Sequence, residues 1–371
     1  MPLPIAAAFA DLPDPRLDRN QLHRLTDILA IALCAVIAGA EGWEQVAEYG
    51  RSKEAFFRRF LELPNGVPSH DTFYRVFTRL DPDAFAACFG RWMAAVCQGT
   101  GLVPVAVDGK SARRSKKDTF TGRLHLVSAW AAENRLILGQ VSVADGSHEI
   151  AAIPELLKVL DLTGALVTID AAGCQVEIAN QIRDQGGDYL LAVKGNQPTL
   201  HEAVLAAFDR ACAADFAGVR SDFHESAEDG HGRHEERRVT VIYDPPGLPA
   251  DWPDAAAVVL VGRERAVGGE NTSTAHYYLT SYAGTAAELG RLIRGHWGVE
   301  NHLHWALDVA FREDESRTAA GHAGANLGML RRVAVSLLRQ AGDHGSIQTR
   351  RMKAAWDDEY LLRVLRAIPA V

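Results

Sequence analysis

The hydrophobic pattern of this chain changes its period near residue 101, and no other feature of the sequence constrains the fold as strongly. Before that point apolar residues recur three and four apart, as in Phe73, Val76 and Phe77, which predicts amphipathic helices. After it, LVPVAVDG (102–109) is a short apolar run that ends at a glycine, which is typical of a buried strand. The chain therefore cannot be all-helical or all-strand.

Strand-like and helical segments alternate through the middle of the chain. Apolar runs at 102–109, 124–134 and 135–145 predict three strands, and helices and strands then alternate to about residue 214. Such an alternation indicates an α/β unit with a mixed sheet. The sequence after residue 214 predicts a second strand-rich region and then a long helix through residue 311, which begins with a capping box at Thr285. We predict four segments: a helical N-terminal domain (1–100), the first part of the core (101–214), a β-rich insertion (215–284), and the core completion with C-terminal helices (285–371).

Composition leaves the class of partner open. Hydrophobic residues make up 47% of the chain and charged residues 23%, as in ordinary globular proteins. The formal net charge of −8 opposes a nucleic-acid-binding function, although local basic clusters occur, for example at 110–117. The five cysteines form no CxxC pair, which favours reduced thiols in the cytoplasm and argues against a thiolate zinc site.

One apolar segment, ILAIALCAVIAGA at 28–40, is a candidate for membrane insertion. It is shorter than the ~20 residues that a bilayer-spanning helix requires, and polar residues flank it closely. We therefore interpret it as a buried helix and expect no membrane association. The N-terminus lacks the basic region that begins a signal peptide, so none is expected.

Two aspartates end apolar strand-like runs: Asp108 follows VPVAV and Asp170 follows ALVTI. A carboxylate in such a place is costly unless it meets water, a partner or a metal ion. If the two strands are neighbours, ~4.8 Å apart, both side chains can reach a shared ion. Each aspartate could equally be an ordinary turn or cap residue after a strand, and spacing alone does not decide between these interpretations.

A third acidic candidate, Glu300, lies within the predicted C-terminal helix that Thr285 opens. His296, Glu300 and His304 recur every fourth residue, which places them along one face of an α-helix. Trp297 and Leu307 neighbour that face, so we expect it to be packed. A surface ion pair or a hydrogen-bonded histidine cluster explains this helix as well as a functional carboxylate does.

Three carboxylates favour Mg²⁺ or Mn²⁺ over zinc, because these hard ions prefer oxygen ligands. In a two-metal site one ion activates the attacking oxygen and the other stabilises the leaving oxygen. Zinc is the alternative that the histidines suggest, but HExxH is absent and the histidine spacings match no zinc motif.

Several collinear segments resemble one family of bacterial insertion-sequence transposases, the H-repeat-associated or ISAs-type group within the wider DDE class. The resemblance extends from about residue 14 to 365, so it covers nearly the whole chain. The matching segments are LTDILAIALCAVIAGAEGW, PSHDTFYRVF, VAVDGK, LHLVSAWAAENRLILGQV, VTIDAAGCQ, DYLLAVKGNQPTLHE, GHGRHEERR and RGHWGVENHLHWALDVAFRED.

The resemblance implies an RNase H-like catalytic core with a DDE triad. VAVDGK places the first aspartate at Asp108, VTIDA the second at Asp170, and HWGVEN the glutamate at Glu300. It further implies two Mg²⁺ or Mn²⁺ ions, and DNA as the partner, both as terminal inverted repeats and as target. Because two ends must be brought together, it implies a homo-oligomer on DNA. DNA as the partner implies a cytoplasmic, nucleoid-associated protein.

Residues near the triad motifs are candidates for DNA contacts, and each could instead be an ordinary solvated or turn residue. The N-terminal helices, with the amphipathic segment PSHDTFYRVF, are the expected reader of the terminal sequence. The candidate DNA-contacting residues are Lys110, Arg113, Arg114, Lys194, Asn196, His231, Arg233, Arg294 and His296.

The sequence is compatible with three functions. A DDE transposase would cleave DNA at its element's ends and transfer the strand into a target. A metal-dependent nuclease would share the triad and cut without joining. A transposase-derived DNA-binding protein would have lost the reaction, although retention of all three acids argues against that.

Overall fold

A computed structural model describes residues 4–97, 103–116, 123–131, 136–143, 148–230, 233–267 and 270–368. The chain divides into two compact units. Unit 1 comprises Met1–Thr100, Gly109–Leu160 and Val299–Val371, and unit 2 comprises Gly101–Asp108 and Asp161–Gly298. Each unit is therefore assembled from segments that are distant in the sequence.

The α-helices of the described residues are α1 (Pro4–Ala8), α2 (Leu25–Ala38), α3 (Trp43–Ser52), α4 (Glu54–Phe57), α5 (His70–Arg79), α6 (Pro82–Cys97), α7 (Glu149–Lys158), α8 (Val176–Asp184), α9 (Pro198–Ala213), α10 (Ala286–His296), α11 (Trp305–Val309), α12 (Ala323–Gln340), α13 (Ile347–Trp356) and α14 (Asp358–Leu365). Short 3₁₀ turns cover Asp18–Asn20 and Glu313–Glu315, and Val299–His304 is a π-helix. The strands are β1 (Val103–Lys116), β2 (Arg123–Ala131), β3 (Leu136–Ser142), β4 (Ala165–Ile169), β5 (Asp188–Val193), β6 (Ser221–Gly230), β7 (Arg233–Tyr243), β8 (Ala257–Val267) and β9 (Glu270–Thr280).

The strands of the described residues form a nine-stranded mixed sheet in the order β3-β2-β1-β4-β5-β9-β8-β7-β6. The pairs β1–β4 and β4–β5 are parallel, whereas β5–β9, β9–β8, β8–β7 and β7–β6 are antiparallel. The strand-rich region predicted at 215–284 therefore forms β6 to β9, which continue the same sheet from β5. The predicted α/β class with a mixed sheet is confirmed.

In unit 1 the central helix is α2, which is apolar on all sides and buried along most of its length. A helix of that composition is stable only when other elements surround it, and α3, α12 and α13 pack against it. The interpretation of residues 28–40 as a buried helix is confirmed. Among the described residues no single helix is long and apolar enough to cross a membrane; only α2 and α3 taken together pass that test, and they are bent by 97°.

Helix α5 shows how the local sequence sets a helix boundary and a packing face. The Ser69 hydroxyl accepts a hydrogen bond from the Thr72 backbone N–H, which makes Ser69 the N-cap of the helix. Phe73, Val76 and Phe77 are fully buried, as their spacing predicts. The opposite face of α5 is exposed and includes His70, Asp71, Tyr74, Arg75 and Arg79.

In unit 2 helix α10 packs against the sheet. Thr285 caps it by accepting a hydrogen bond from the Glu288 N–H at 3.3 Å, and Leu289 and Ile293 lie in the core with residues of β4, β7 and β8. Gly290 permits this approach, since a Cβ there would lie only 2.8 Å from Val239 Cγ2. The predicted capped helix is thus confirmed at its start.

The prediction of one uninterrupted helix through residue 311 is wrong. Helix α10 ends at His296, and the next helical residues form the π-helix Val299–His304 before α11 begins. Gly295 and Gly298 flank the break, and each glycine lowers helix propensity by about 1 kcal/mol relative to alanine. The break therefore falls where the sequence holds the α-helical conformation least firmly.

Candidate active site

The two candidate aspartates lie where the parallel pairing of β1 with β4 ends. Asp170 directly follows β4, whereas Asp108 lies inside β1, which continues to Lys116, so the prediction that its strand ends there is wrong. The β1–β4 register ends with Val107 opposite Ile169, so the residues that come next are Asp108 and Asp170. The neighbouring-strand condition required by the sequence argument is therefore met, and parallel strands lie ~4.8 Å apart. Both aspartates are half-buried at the same edge of the sheet, where a carboxylate calls for water, a partner or a cation.

The Asp170 carboxylate is oriented by the turn that follows β4. Its Oδ1 accepts hydrogen bonds from the backbone N–H groups of Ala172 at 3.0 Å and Gly173 at 3.3 Å. Two N–H donors hold the carboxylate in one orientation. The buried Cys174 thiol nearby has its pKa raised to about 12, chiefly by burial and further by the Asp170 charge, so it stays protonated at neutral pH.

The turn after β5 braces the turn that holds Asp170. Asn196 donates from Nδ2 to the Ala171 carbonyl at 2.7 Å, and Gln197 donates to the Cys174 carbonyl at 2.9 Å. Asn196 is thus exposed and also supports the turn that holds Asp170. Sequence reasoning missed Gln197; the only signal for it was its place in the VKGNQ segment after an apolar strand.

His296, a candidate DNA contact, lies against β4. Its Nδ1 is 2.9 Å from the Thr168 hydroxyl, two residues before Asp170, and the ring is half-buried. Burial lowers the pKa of His296, while the Asp170 charge opposes that shift, so the ring is neutral at neutral pH. Its neighbour Trp297 is 45% exposed.

Glu300 belongs to unit 1 and lies on the π-helix Val299–His304. Its side chain is exposed, whereas Val299 and Leu303 on either side are buried and hold the segment in place. π-Helical turns are rare and occur frequently at functional sites. The structure therefore presents the glutamate to solvent on a conformation that the α-helical periodicity did not predict.

Lys110 and Arg294, two further candidate DNA contacts, are both ion-paired. In unit 1 the Lys110 Nζ lies 2.7 Å from an Asp308 oxygen and 3.5 Å from Asp314. In unit 2 the exposed Arg294 forms a two-pronged pair with Glu228, one bond of which is 2.6 Å. Lys194 is exposed at the end of β5.

The remaining candidates fall at the limits of what the structure describes. Arg113 and Arg114 lie on β1 and Arg233 begins β7, but the positions of their side chains are outside the described residues. His231 is itself outside the described residues.

A polar cluster that sequence reasoning missed lies beside β1 in unit 1. The Ser111 hydroxyl is 2.7 Å from His125 Nδ1, and His125 Nε2 is 3.5 Å from a Glu149 oxygen. A Cβ on Gly109 would lie 2.5 Å from both the Glu149 carboxylate and His125 Nε2. A side chain at position 109 would therefore require the ends of the Glu149 and His125 side chains to move.

The side chains at this edge of the sheet include suitable ligands for a divalent cation. In the described part of the chain no three His, Cys, Asp or Glu side chains form a group that could hold a metal ion. Asp108 and Asp170 nevertheless supply hard carboxylate oxygens at one edge of the sheet, which is the ligand type that Mg²⁺ and Mn²⁺ prefer. These two residues fit such an ion.

Comparison with known proteins settles the family. Residues 99–337 match the family described as "Transposase DDE domain", and residues 6–93 match the one described as "DDE_Tnp_1-associated". This chain belongs to the DDE transposase family. The resemblance inferred from the sequence motifs is confirmed, and the mixed sheet with its N-terminal helical region is consistent with an RNase H-like core.

Relatives of similar length support the assignment. The "H repeat-associated putative transposase YhhI" of Escherichia coli (strain K12) is 36% identical over 364 residues, which is 95% of this chain and 95% of that protein. The "Putative transposase YncI" of Escherichia coli O157:H7 is 37% identical over 363 residues, 95% of this chain and 92% of its own. The "Uncharacterized protein in dhlA 3'region" of Xanthobacter autotrophicus is 44% identical over 283 residues, 74% of this chain and 93% of its own.

Proposed function

We propose that this protein cleaves DNA at the ends of its own element and joins the freed strand to target DNA. The observation that supports this most directly is the pair of half-buried aspartates, Asp108 and Asp170, which lie where the parallel pairing of β1 with β4 ends, in a DDE transposase chain. Glu300, in the matched HWGVEN segment, is the proposed third acid. Asp108, Asp170 and Glu300 are thus the proposed catalytic and metal-binding residues.

The proposed reaction has two phosphoryl-transfer steps. In the first, water attacks the phosphorus at the element's end, the P–O3′ bond breaks, and the products are a 3′-hydroxyl and a 5′-phosphate. In the second, that 3′-hydroxyl attacks a target phosphodiester, loses its proton to solvent, and displaces the target strand's 3′-oxygen. Each step forms one P–O bond and breaks one, so no oxidant or other co-reactant is needed.

The protein's part in both steps is binding and orientation. Two Mg²⁺ or Mn²⁺ ions, when bound, would activate the attacking oxygen and stabilise the leaving oxygen. Asp108, Asp170 and Glu300 would hold them, and the N–H groups of Ala172 and Gly173 keep the Asp170 carboxylate in one orientation for that task. Precise positioning matters because a misplacement of 1 Å can slow a reaction by about 100-fold.

Residues outside the triad would bind and align the DNA. Lys194 is exposed beside the turn that braces Asp170, which suits it to contact a phosphate. The exposed face of α5, with Tyr74, Arg75 and Arg79, is the proposed reader of the terminal repeats. Arg113, Arg114, Asn196, His231, Arg233, Arg294 and His296 remain candidates for contacts with DNA, and a homo-oligomer would bring the two ends together.

The deciding experiment measures cleavage and strand transfer on a labelled duplex that carries the element's own ends. Wild type is compared with Asp108→Asn, in Mg²⁺ and in Mn²⁺. We expect metal-dependent joined products from wild type and their loss in Asp108→Asn. The matched control is Asp161→Asn, which changes an exposed aspartate whose carboxylate caps the Thr163 N–H; it should retain wild-type activity.

The other outcomes identify the alternatives. Cleavage without joining by wild type would contradict the transposase proposal and favour a metal-dependent nuclease. End-specific binding with no cleavage in either metal would favour a protein that retained the fold and lost the reaction. Full activity of Asp108→Asn would remove Asp108 from the proposed triad.

A further inference from the structure

The three residues that follow Asp108 on β1 are contacted from both sides of the strand. Successive side chains of a strand point to opposite faces, so Gly109 and Ser111 share one face and Lys110 lies on the other. On the first face, His125 and Glu149 approach Gly109 and Ser111 closely. On the second face, Lys110 meets Asp308 and Asp314. All of these residues belong to unit 1.

Lys110 is enclosed by its acidic partners. Only 9% of its side chain is exposed, and its ammonium lies 2.7 Å from Asp308 and 3.5 Å from Asp314. Burial raises the pKa of Asp308 more than Lys110 lowers it, while 35% of the Asp308 side chain and 22% of the Asp314 side chain remain exposed. An ammonium in that setting would have to leave two carboxylates before it could bind a phosphate, and separating such a pair is strongly destabilising.

The acidic partners are themselves fixed. Glu313, beside Asp314, forms a fully buried ion pair with Arg332 at 2.7 Å. Arg332 also donates to the Ser128 hydroxyl on β2 at 3.1 Å. Burial alone would raise the pKa of Glu313, but Arg332 and Arg331 outweigh it and keep that pKa below its ordinary value, so Glu313 stays charged.

These contacts connect two functional segments of the chain. Lys110 is two residues beyond Asp108, whereas Asp308 lies on α11, in the segment that begins with the π-helix of Glu300. The Lys110–Asp308 pair therefore holds the part of β1 just beyond one proposed catalytic acid against the segment that contains another. A phosphate contact would explain neither the burial of Lys110 nor its two carboxylate partners.

We propose that Lys110 is a positioning residue, which fastens β1 to the α11 segment through Asp308 and Asp314, and that it is not a phosphate contact. This inference rests on the proposed function, because the consequence of the fastening is the alignment of the acids that would hold the metal ions. Lys110 acts through its acidic partners and touches neither DNA nor metal.

The test compares Lys110→Gln, Asp308→Asn, the double variant and Lys110→Arg on the labelled end duplex. We expect each single variant to lower the cleavage rate by about 100-fold, the double variant to be no slower than the singles, and Lys110→Arg to recover most of the rate. The salt dependence of duplex binding should be unchanged in all of them. Lys158→Gln, which breaks an exposed pair with Glu155, is the matched control and should leave rate and binding unaltered.

A phosphate contact would give a different result. Loss of one such contact lowers the slope of log affinity against log salt by ~0.9. A slope reduced in Lys110→Gln but not in Asp308→Asn would therefore overturn the positioning role. Additive losses of rate in the double variant would overturn it as well.

The failure of the proposed function can be told apart from the failure of this inference. If wild type neither cleaves nor joins DNA, the proposed function fails, and the urea unfolding midpoints of the same variants still test the fastening. A coupled pair gives a double variant that is less destabilised than the sum of the singles. Additive shifts of the midpoint would then overturn the pairing itself.

Discussion

Two short segments that each contain a glycine beside a lysine, one inside β1 and one directly after β5, have different surroundings. Asp108-Gly109-Lys110 lies on β1, and Lys194-Gly195-Asn196 follows β5. From the sequence each lysine is a candidate for a phosphate contact and could equally be a solvated charge. In unit 1 the Lys110 side chain is only 9% exposed and is paired with Asp308 and Asp314, whereas in unit 2 Lys194 is exposed.

The glycines of the two segments differ in the same way. A Cβ on Gly109 would lie 2.5 Å from both Glu149 and His125, while a Cβ on Gly195 would meet nothing within 4 Å. Neither glycine has a positive φ, so the contrast arises from the space around them and not from backbone strain. A glycine beside a lysine therefore does not by itself specify the role of the lysine, because the elements packed around the segment decide what the lysine contacts.

The largest expected effect is that of Gly109→Ala. The added methyl group would collide with the Glu149 carboxylate and the His125 ring, which should destabilise the fold by about 1–3 kcal/mol. Displacement of the strand beside Asp108 should lower the cleavage rate by about 100-fold. Gly195→Ala is the matched control, and its unfolding free energy should stay within about 0.5 kcal/mol of wild type. Equal effects of the two substitutions on urea unfolding and cleavage would erase the contrast between the segments.

The next largest effect is a pH dependence of stability that arises from two histidines, His304 near Lys110 and His276 near Lys194. Burial, with the charges of Arg332 and Lys110, lowers the pKa of His304 to about 4. Burial, with Lys194 and Arg263, lowers the pKa of His276. The unfolded state therefore binds more protons below the ordinary histidine pKa of about 6.5, and stability present above that pH is lost as the pH falls.

For His304 this loss should be complete by about pH 4 and amount to about 2 kcal/mol, after a discount for the partial exposure of the ring. The measurement is the urea midpoint between pH 7.5 and 4 for wild type, His304→Gln and His276→Gln. His304→Gln should reduce the fall of the urea midpoint between pH 7.5 and 4, and His276→Gln should reduce it less. If neither substitution changes the fall of the midpoint, these histidines titrate normally in the folded protein.

The smallest effect should come from Lys194→Gln. If Lys194 contacts a phosphate, the salt slope of duplex binding falls by ~0.9, and affinity falls by the same factor for all DNA sequences. The unfolding midpoint should not change, because the side chain is exposed. A slope equal to that of Lys158→Gln would show that exposure alone does not make Lys194 a DNA contact.

Much of the fold could be predicted from the sequence because it depends on local patterns. The apolar spacing and the Ser69 cap specify α5, and the apolar runs before Asp108 and Asp170 specify β1 and β4. The helix break after His296 could not be predicted in the same way. Whether a chain with Gly295 and Gly298 continues as an α-helix or forms a π-helical turn depends on what Val299 and Leu303 pack against.

The candidate site likewise has a part that could be predicted from local sequence and a part that could not. The motifs around Asp108, Asp170 and Glu300 are contiguous in sequence, so they could be found without a structure. The partners of Lys110 could not, because Asp308 and Asp314 are some 200 residues away in the chain and no local pattern links them to β1. The same holds for Ser111, His125 and Glu149, which three separate elements bring together.

The sequence by itself therefore determined the family, the alternation of helices and strands, and the positions of the three acids. These follow from periodicity and from short motifs, which are properties of neighbouring residues. Only the tertiary structure decided that Lys110 is enclosed, that Lys194 is exposed, and that His296 packs against Thr168. The physical reason is that burial and ion pairing depend on which distant segments fold against a residue, and that information is spread over the whole chain.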